Sequence, residues 1–403
     1  MDLSNLKFEK VSKVGKIDFK SKNLKNISKL DSVSPPSVFV GSGLKYPLMN
    51  VGILSPVFRE ENAWMYDAPK YWVQEKFSIS DVLKLREGLV NSRVTQKAKD
   101  VRFSNNFLNI ARDIAIASKP VDVEIKLRSN LSFNPNRDRV LMPSLLGAPL
   151  ESAKITSNVS VNSCVEKVLS DELKAKDSLE LLYRKNVDEN ALSKILSIGV
   201  LGLQKNKKLV PTRWSITATD DTISNSLLSE IKRLKEIEDF SLGFGEFLGN
   251  QYLILFFPGI FRFELFEFYY PGSSWNPSTE FKACTDYENF SGRKNYASQC
   301  AGGYYATRLG VAEYLKKINR QASVLVIRLE TPSYWAGLGV WVVRESVRTS
   351  LDKGIMKFSR KEELLNSVIK VSQIKYGFNP EVIYRRSKLL MELENQNNLS
   401  RWI

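Results

Sequence analysis

The sequence predicts an α+β fold with two lobes, for three reasons. Its 403 residues exceed the usual size of one domain, and 43% of them are hydrophobic, enough for a substantial core. Extended apolar segments occur in both halves of the chain. Between them lie segments whose apolar residues recur every three or four positions, without the regular strand and helix alternation of a doubly wound sheet. We therefore expect mixed sheets packed against helices.

The first half is predicted to begin with strands. Proline and glycine punctuate the short apolar runs of residues 34–56, which indicates strands joined by tight turns. Over residues 78–118 the apolar period changes to three and four, so helices follow, the first capped by Ser80 or Asp81. Residues 119–165 return to extended segments.

Four further elements are predicted at the start of the second half. Residues 209–221 are predicted to form a strand that runs into a helix, which Asp220 or Asp221 would cap. The apolar stretch 252–270 predicts two adjacent strands joined by a tight Pro-Gly turn.

The remaining elements are mostly helical. Residues 302–318 begin with glycines and place their apolar residues on one helical face, and residues 338–351 lead into another helix. Residues 322–330 predict a buried strand between these helices. The final helix begins at the Asn-Pro pair 379–380 and is predicted to end before the polar, Asn-rich residues 394–398.

These elements divide the chain into five parts. A basic, poorly ordered leader is followed by an α+β lobe, a helical connection, a second α+β lobe and a flexible C-terminal peptide. The predicted boundaries are 1–33, 34–165, 166–203, 204–394 and 395–403.

The charge of the chain favours a polyanionic partner. Lysine and arginine number 59 against 44 acidic residues, a formal net charge of +15. Such an excess attracts nucleic acid and speeds encounters with it. A proteome that is rich in lysine is the alternative explanation. We expect DNA as a partner.

Histidine and cysteine usage excludes several kinds of site. The chain contains no histidine, which rules out histidine triads, imidazole bases and histidine metal ligands. Cys164, Cys284 and Cys300 form no CxxC pair, so neither a zinc ribbon nor a disulfide framework is predicted, and a reducing compartment fits best. No metal site and no cofactor are predicted.

The sequence also argues against a membrane location. It contains no run of about 18 apolar residues, and its N-terminus is polar and lysine-rich, without the apolar core of a secretion signal. We expect a cytoplasmic protein.

The chain ends in an unusual pattern, QNNLSRWI. In a single 3₁₀ turn Leu399 and Trp402 share one face, with Gln396 above them and Ile403 adjacent. An amide and two or three apolar groups would then form a plug for a hydrophobic pocket. The spacing resembles the PCNA-interacting peptide (PIP motif), by which DNA replication and repair proteins dock on the sliding clamp. The family pattern ends in two aromatic residues, and here the second is Ile403.

Four longer segments resemble one protein family. They are SPPSVFVGSGLKYP, SIGVLGLQKNKKLVPTRWSITATDD, GRKNYASQCAGGYYATRLGVAEYL and GVWVVRESVR, and they are similar to the archaeal Nre DNA repair family from about residue 34 to the C-terminus. The resemblance implies an archaeal, cytosolic protein that acts on damaged DNA while tethered to the clamp PCNA. Some members carry an N-terminal four-cysteine zinc finger, and this chain has no cysteine before Cys164. The resemblance implies no catalytic residues.

Several internal residues are candidates for nucleic-acid binding. The segment CAGGYYATRL combines glycines, a helix start whose N–H groups would bind an anion, a cation and two rings that would stack on unpaired bases. The alternative is that the glycines permit tight helix packing and that one of the two tyrosines lies in the core. In the predicted strand VPTRWSIT, the arginine would contact phosphate or form a buried ion pair, and the tryptophan would pack in the core. The candidates are Arg213, Arg293, Tyr304, Tyr305, Arg308, Arg344 and Arg348.

An enzyme with this sequence would depend on carboxylates. Two or three of them converging on Mg²⁺ would make a metal-dependent nuclease. The weak catalytic candidates are Asp220, Asp221, Glu264, Asp286 and Glu288. Helix capping and salt bridges are the alternative roles for these residues. We therefore leave open a non-catalytic DNA-binding adaptor, an Mg²⁺-dependent phosphodiester enzyme, and an RNA-binding protein with a clamp-like tail.

Overall fold

The fold is α+β, as predicted. The computed structural model describes residues 6–10, 27–103, 105–133 and 138–399. The chain divides into two compact units, Asp18–Ile223 and a unit that joins Met1–Ile17 to Ser224–Ile403. No helix among the described residues is long and apolar enough to cross a membrane.

The first unit is built on a seven-stranded mixed sheet. Its order is β1-β5-β7-β4-β3-β2, with the short β6 beside β7, and the β4 and β7 pair is parallel. The strands are β1 (Lys29–Ser34), β2 (Val38–Val40), β3 (Leu48–Pro56), β4 (Leu89–Lys97), β5 (Val121–Leu127), β6 (Ser132–Phe133) and β7 (Leu146–Ile155).

The first unit also contains helices, which lie between and after these strands along the chain. Six α-helices lie wholly within the described part of this unit, together with short 3₁₀ turns at Ala63–Asp67, Asp100–Arg102 and Gln204–Asn206. The α-helices are α1 (Pro69–Gln74), α2 (Ile79–Glu87), α3 (Asn106–Ile116), α4 (Ser163–Ser170), α5 (Ala175–Arg184) and α6 (Glu189–Ser197), and α7 (Thr212–Ile231) comes next.

The C-terminal unit contains a six-stranded mixed sheet in the order β11-β10-β12-β9-β8-β13, with β10 and β12 parallel. Its strands are β8 (Phe240–Phe247), β9 (Asn250–Phe257), β10 (Arg262–Tyr269), β11 (Lys282–Glu288), β12 (Ser323–Glu330) and β13 (Ile355–Phe358). Its helices are α8 (Ala301–Lys317), α9 (Trp341–Asp352), α10 (Lys361–Tyr376), α11 (Glu381–Tyr384) and α12 (Lys388–Leu399).

The centre of this second sheet is covered on both faces. Every residue of β10 and β12 is buried, because α8 packs on one face and α10 and α12 pack on the other. Alternation along β10 sends Glu264 toward α12 and Glu267 toward α8, so the two carboxylates point to opposite sides, as the sequence predicts. Two acids in a buried strand therefore need internal partners.

Three predictions about the elements are wrong. Residues 209–221 form no strand, because Thr212 begins the helix α7, and its interior contains Asp220 and Asp221, which therefore cannot cap its start. The strands of 252–270 are not adjacent, since β12 lies between β9 and β10 and hydrogen-bonds to both. The last helix is interrupted after Tyr384 and then continues to Leu399, beyond its predicted end.

Smaller differences concern the first unit and the leader. Ser78, rather than Ser80, caps α2: its hydroxyl accepts from the Asp81 amide, and the Asp81 carboxylate accepts from the Ser78 amide, a capping box. The predicted leader contributes Phe8, whose ring packs edge-on against Phe266. The units divide between Ile223 and Ser224, inside α7, and the predicted helical connection of 166–203 lies within the first unit, where α6 packs against α3 and β2.

Candidate functional site

A cleft with a volume of about 450 Å³ opens beside the edge strand β11. Its walls are β11, the loop 289–299 and the start of α12, and we call it the β11 cleft. Seven ionisable groups line it, the carboxylates Glu264, Asp286 and Glu288 and the cations Arg293, Lys294, Arg386 and Lys388.

Glu264 occupies the start of α12. Its carboxylate accepts hydrogen bonds from the Ser387 hydroxyl (2.5 Å) and from the amides of Lys388 and Leu389 (3.1 Å each). The first amides of a helix have no partner within the helix, and the helix dipole favours an anion there. Burial raises the pKa of Glu264, and these hydrogen bonds oppose the rise. Its role is to cap α12.

Asp286 binds the two backbone amides that immediately precede α8. Its carboxylate accepts from the amides of Gln299 (3.1 Å) and Cys300 (2.8 Å), and the Arg293 guanidinium lies 3.0 Å away. Burial raises the pKa of Asp286, and these partners oppose the rise. The sequence predicts an anion at this helix start. The structure places a carboxylate of the protein itself there.

Tyr304, Tyr305 and Arg308 lie inside the protein rather than on its surface. The Tyr305 hydroxyl accepts from the Ala297 amide at 2.9 Å. The Arg308 guanidinium forms an ion pair with Glu288 at 2.9 Å, and both side chains are buried. In this arrangement neither ring offers a face to a base.

The exposed cations of the β11 cleft are its best groups for an anionic ligand. Arg293 is largely engaged, since it also donates to the carbonyl of Tyr287 at 2.8 Å. Lys294 and Lys388 are exposed. Arg386 is exposed too, and its guanidinium lies 5.1 Å from the centre of the Phe8 ring. Because the three carboxylates are held by internal donors, these cations supply the charge that an incoming phosphate would meet.

The other predicted nucleic-acid residues are separate from this cleft. Arg213 lies on α7 and pairs with Asp138 at 2.9 Å. Trp214 is 62% exposed, so the prediction that it packs in the core is wrong. Its position in a helix, not a strand, turns the ring outward. Arg344 and Arg348 lie one turn apart on α9, as predicted.

Those two arginines of α9 are engaged within the protein. Arg344 is buried. Arg348 donates to both carboxylate oxygens of Glu313 (2.8 and 2.7 Å) and to Glu345 (2.5 Å). A bidentate pair of this kind fixes the guanidinium and satisfies most of its donors.

The five candidate catalytic carboxylates do not form a metal-binding group in the described part of the chain. The one group of three or more potential ligand residues found there is Glu267, Cys284 and Cys300, whose ligand atoms lie within 4.8 Å of one another. None of its members is a predicted catalytic residue. The sequence spacing could not reveal this group, since 15 residues separate the two cysteines along the chain.

A second group of cations lies in the first unit. Arg102 donates to the carbonyl of Lys207 at 2.7 Å. Burial lowers the pKa of Lys207, and the neighbouring charge of Arg112 lowers it further. The predictions do not include these residues, although the basic run KNKK at 205–208 marks the place.

The clamp-binding pattern falls at the end of the described chain. Leu393 of α12 is buried, and Glu394 and Asn395, the last residues of this helix whose side chains the structure describes, are exposed. The backbone helix continues through Gln396 to Leu399. Trp402 and Ile403 lie outside the described residues.

Two family models match the chain. The model described as archaeal Nre, N-terminal, matches residues 10–276, and the one described as archaeal Nre, C-terminal, matches residues 288–402.

Three curated proteins are similar over most of their length. A protein named DNA repair protein NreA from Haloferax volcanii is 39% identical over 79% of this chain and 77% of its own. NreA and NreB of Archaeoglobus fulgidus, also named DNA repair proteins, are 38% and 34% identical over 82% and 85% of both chains. No solved structure gives a significant match.

Proposed function

Because this chain belongs to the archaeal Nre family, we propose that it takes part in DNA repair, recruited to the sliding clamp PCNA through its last eight residues. The proposed repair role is based on the similarity of this chain, over 79–85% of its length, to three proteins that are named DNA repair proteins. Both family models match, so the similarity is not confined to one unit.

The C-terminal pattern supports recruitment to the clamp. Leu393 of α12 packs in the core, and the next two residues, Glu394 and Asn395, are exposed. A polar, exposed segment therefore directly precedes the pattern that starts at Gln396. Burial of Leu399 and Trp402 in a pocket would contribute roughly 1.5–3 kcal/mol each, less ordering costs, which fits micromolar affinity.

Calorimetric titration of purified archaeal PCNA tests this recruitment. We expect the intact protein to bind and the double variant Leu399→Ala, Trp402→Ala to show no detectable heat, with an unchanged melting temperature. The matched control is Asn397→Ala, Asn398→Ala, which alters the pattern only at positions that the motif leaves free. Equal binding by the wild type and the Leu399, Trp402 variant would contradict the proposal.

DNA contact is proposed at the β11 cleft. The exposed ammonium groups of Lys294 and Lys388 would bind phosphates, and removal of each group should reduce the slope of log affinity against log salt by about 0.7–0.9. Fluorescence anisotropy with Lys294→Ala, Lys388→Ala measures this slope. Lys357→Ala is the control, because β13 is at the opposite edge of the same sheet. Unchanged affinity and slope in the double variant would exclude this cleft.

A further inference from the structure

Two thiols and a carboxylate meet in the interior of the C-terminal unit. The sulfurs of Cys284 and Cys300 are 3.1 Å apart, and the Cys284 sulfur is 3.5 Å from Oε2 of Glu267. All three side chains are buried. Their three ligand atoms lie within 4.8 Å of one another, close enough to hold one metal ion that takes a fourth ligand from elsewhere.

The three residues come from three different elements. Glu267 and Cys284 are direct partners in the β10 and β11 ladder, and Cys300 immediately precedes α8. Gly303 makes room for this arrangement. A Cβ atom at that position would lie within van der Waals overlap of Oε1 of Glu267. Glycine therefore lets the first turn of α8 lie directly over the carboxylate.

Ligand chemistry favours zinc. Thiolates select soft or borderline cations, and Zn²⁺ accepts sulfur and carboxylate oxygen in one tetrahedral shell. With bonds of about 2.3 Å to sulfur and 2.0 Å to oxygen, a tetrahedral ion holds sulfur and oxygen about 3.5 Å apart and two sulfurs about 3.8 Å apart. The observed sulfur to oxygen distance matches. The two sulfurs, now 3.1 Å apart, would have to move apart by a further distance of less than about 1 Å.

The surroundings supply the groups that usually support a metal ligand. The Tyr269 hydroxyl donates to Oε2 of Glu267 at 2.6 Å and lies 3.9 Å from the Cys284 sulfur. Nη1 of Arg328 donates to Oε1 of the same carboxylate at 2.5 Å. Such partners orient a ligating carboxylate. Because Arg328 also pairs with Glu330 at 3.2 Å, the zinc ion itself would balance the charge of the two thiolates.

We propose that Glu267, Cys284 and Cys300 bind one zinc ion. Each thiol loses its proton to solvent on binding, and no electron transfer is involved. The Tyr269 hydroxyl would remain a hydrogen-bond donor to Glu267, and the carbonyl of Leu265, which lies 4.0 Å from the Cys300 sulfur, would complete the shell. The ion would hold both ends of the loop 289–299, which forms a wall of the β11 cleft.

Metal analysis of the purified full chain tests the proposal. After incubation with zinc and gel filtration, the wild type should retain about one equivalent of zinc. The variant Cys284→Ser, Cys300→Ser should retain only background. The matched control is Cys164→Ser, a half-buried cysteine of the other unit, which should retain the wild-type amount. Cobalt substitution should give sulfur-to-metal charge-transfer absorption in the wild type and the control.

A measurement on the wild type remains decisive if the double variant does not fold. A mercurial reagent added to the zinc-loaded protein should release the metal as two thiols react. Zinc at background in the reconstituted wild type, or binding that persists in a folded double variant, would overturn the proposal. A native intact mass two hydrogens below that of the reduced chain would also overturn it, because the two cysteines would then form a disulfide.

Discussion

Replacement of Arg308 by alanine should lower the free energy of unfolding by about 3–5 kcal/mol, the usual cost of leaving one partner of a buried ion pair uncompensated. The Arg308 and Glu288 side chains are 3% and 1% exposed and 2.9 Å apart. The guanidinium also donates twice to the Ser224 hydroxyl, at 3.2 and 2.9 Å. The substitution removes these bonds together and leaves the Glu288 carboxylate in the interior.

Urea denaturation followed by tryptophan fluorescence measures this destabilisation. Arg213→Ala is the control, because its pair with Asp138 is partly exposed and should contribute no more than about 1 kcal/mol. The double variant Arg308→Met, Glu288→Leu should recover most of the stability, since it removes both charges and keeps apolar volume.

The opposite outcome would refute this structural role. If Arg308→Ala unfolds at the wild-type urea concentration while its affinity for DNA falls, the arginine contacts nucleic acid and is not a component of the core.

Two further predictions concern other buried charges. Gly303→Ala should destabilise the protein by about 1–3 kcal/mol in thermal unfolding, because the added methyl group would overlap the Glu267 carboxylate. This loss should exceed the gain from the better helix propensity of alanine. A variant as stable as the wild type would contradict the close contact between Gly303 and Glu267. Burial opposes ionisation of Asp67, but Lys194 and Arg86 outweigh it and hold its pKa below the ordinary 3.8. The unfolded chain therefore binds the proton first as the pH falls, and stability is lost from about pH 3.8 downward through the lowered pKa. Asp67→Asn should remove this loss of stability at acid pH, measured as the free energy of unfolding in urea at several pH values. If the variant loses as much stability as the wild type below pH 3.8, Asp67 does not contribute to the acid dependence.

Periodicity was sufficient for several elements of the C-terminal unit. The helix after the glycines, the buried strand of 322–330 and the helix of 338–351 all occur as predicted. The helix α7 was mistaken for a strand at its start because its residues TRWSIT include β-branched side chains and a tryptophan, which favour strands. Local propensity is a weak preference, and the packing of the whole helix overrides it.

The candidate site was predictable only in part. The sequence indicated the segment CAGGYYATRL and a ligand anion at the start of its helix, and the structure places the carboxylate of Asp286 beside the amides just before that helix. It could not show that the anion would be Asp286 or that Tyr304 and Arg308 would be buried. Charged residues look alike in sequence whether they face solvent or another buried charge.

The α+β class, several helices and strands of the C-terminal unit, the absence of histidine chemistry and the clamp-like pattern at the end of the chain all follow from the amino-acid sequence. These features depend on composition or on residues that are neighbours along the chain. Three others emerge only in the folded molecule: β12 lies between β9 and β10, Glu264 caps a helix more than 120 residues away, and two distant cysteines meet at Glu267. Such contacts are selected by the packing of whole elements, and no local pattern encodes them.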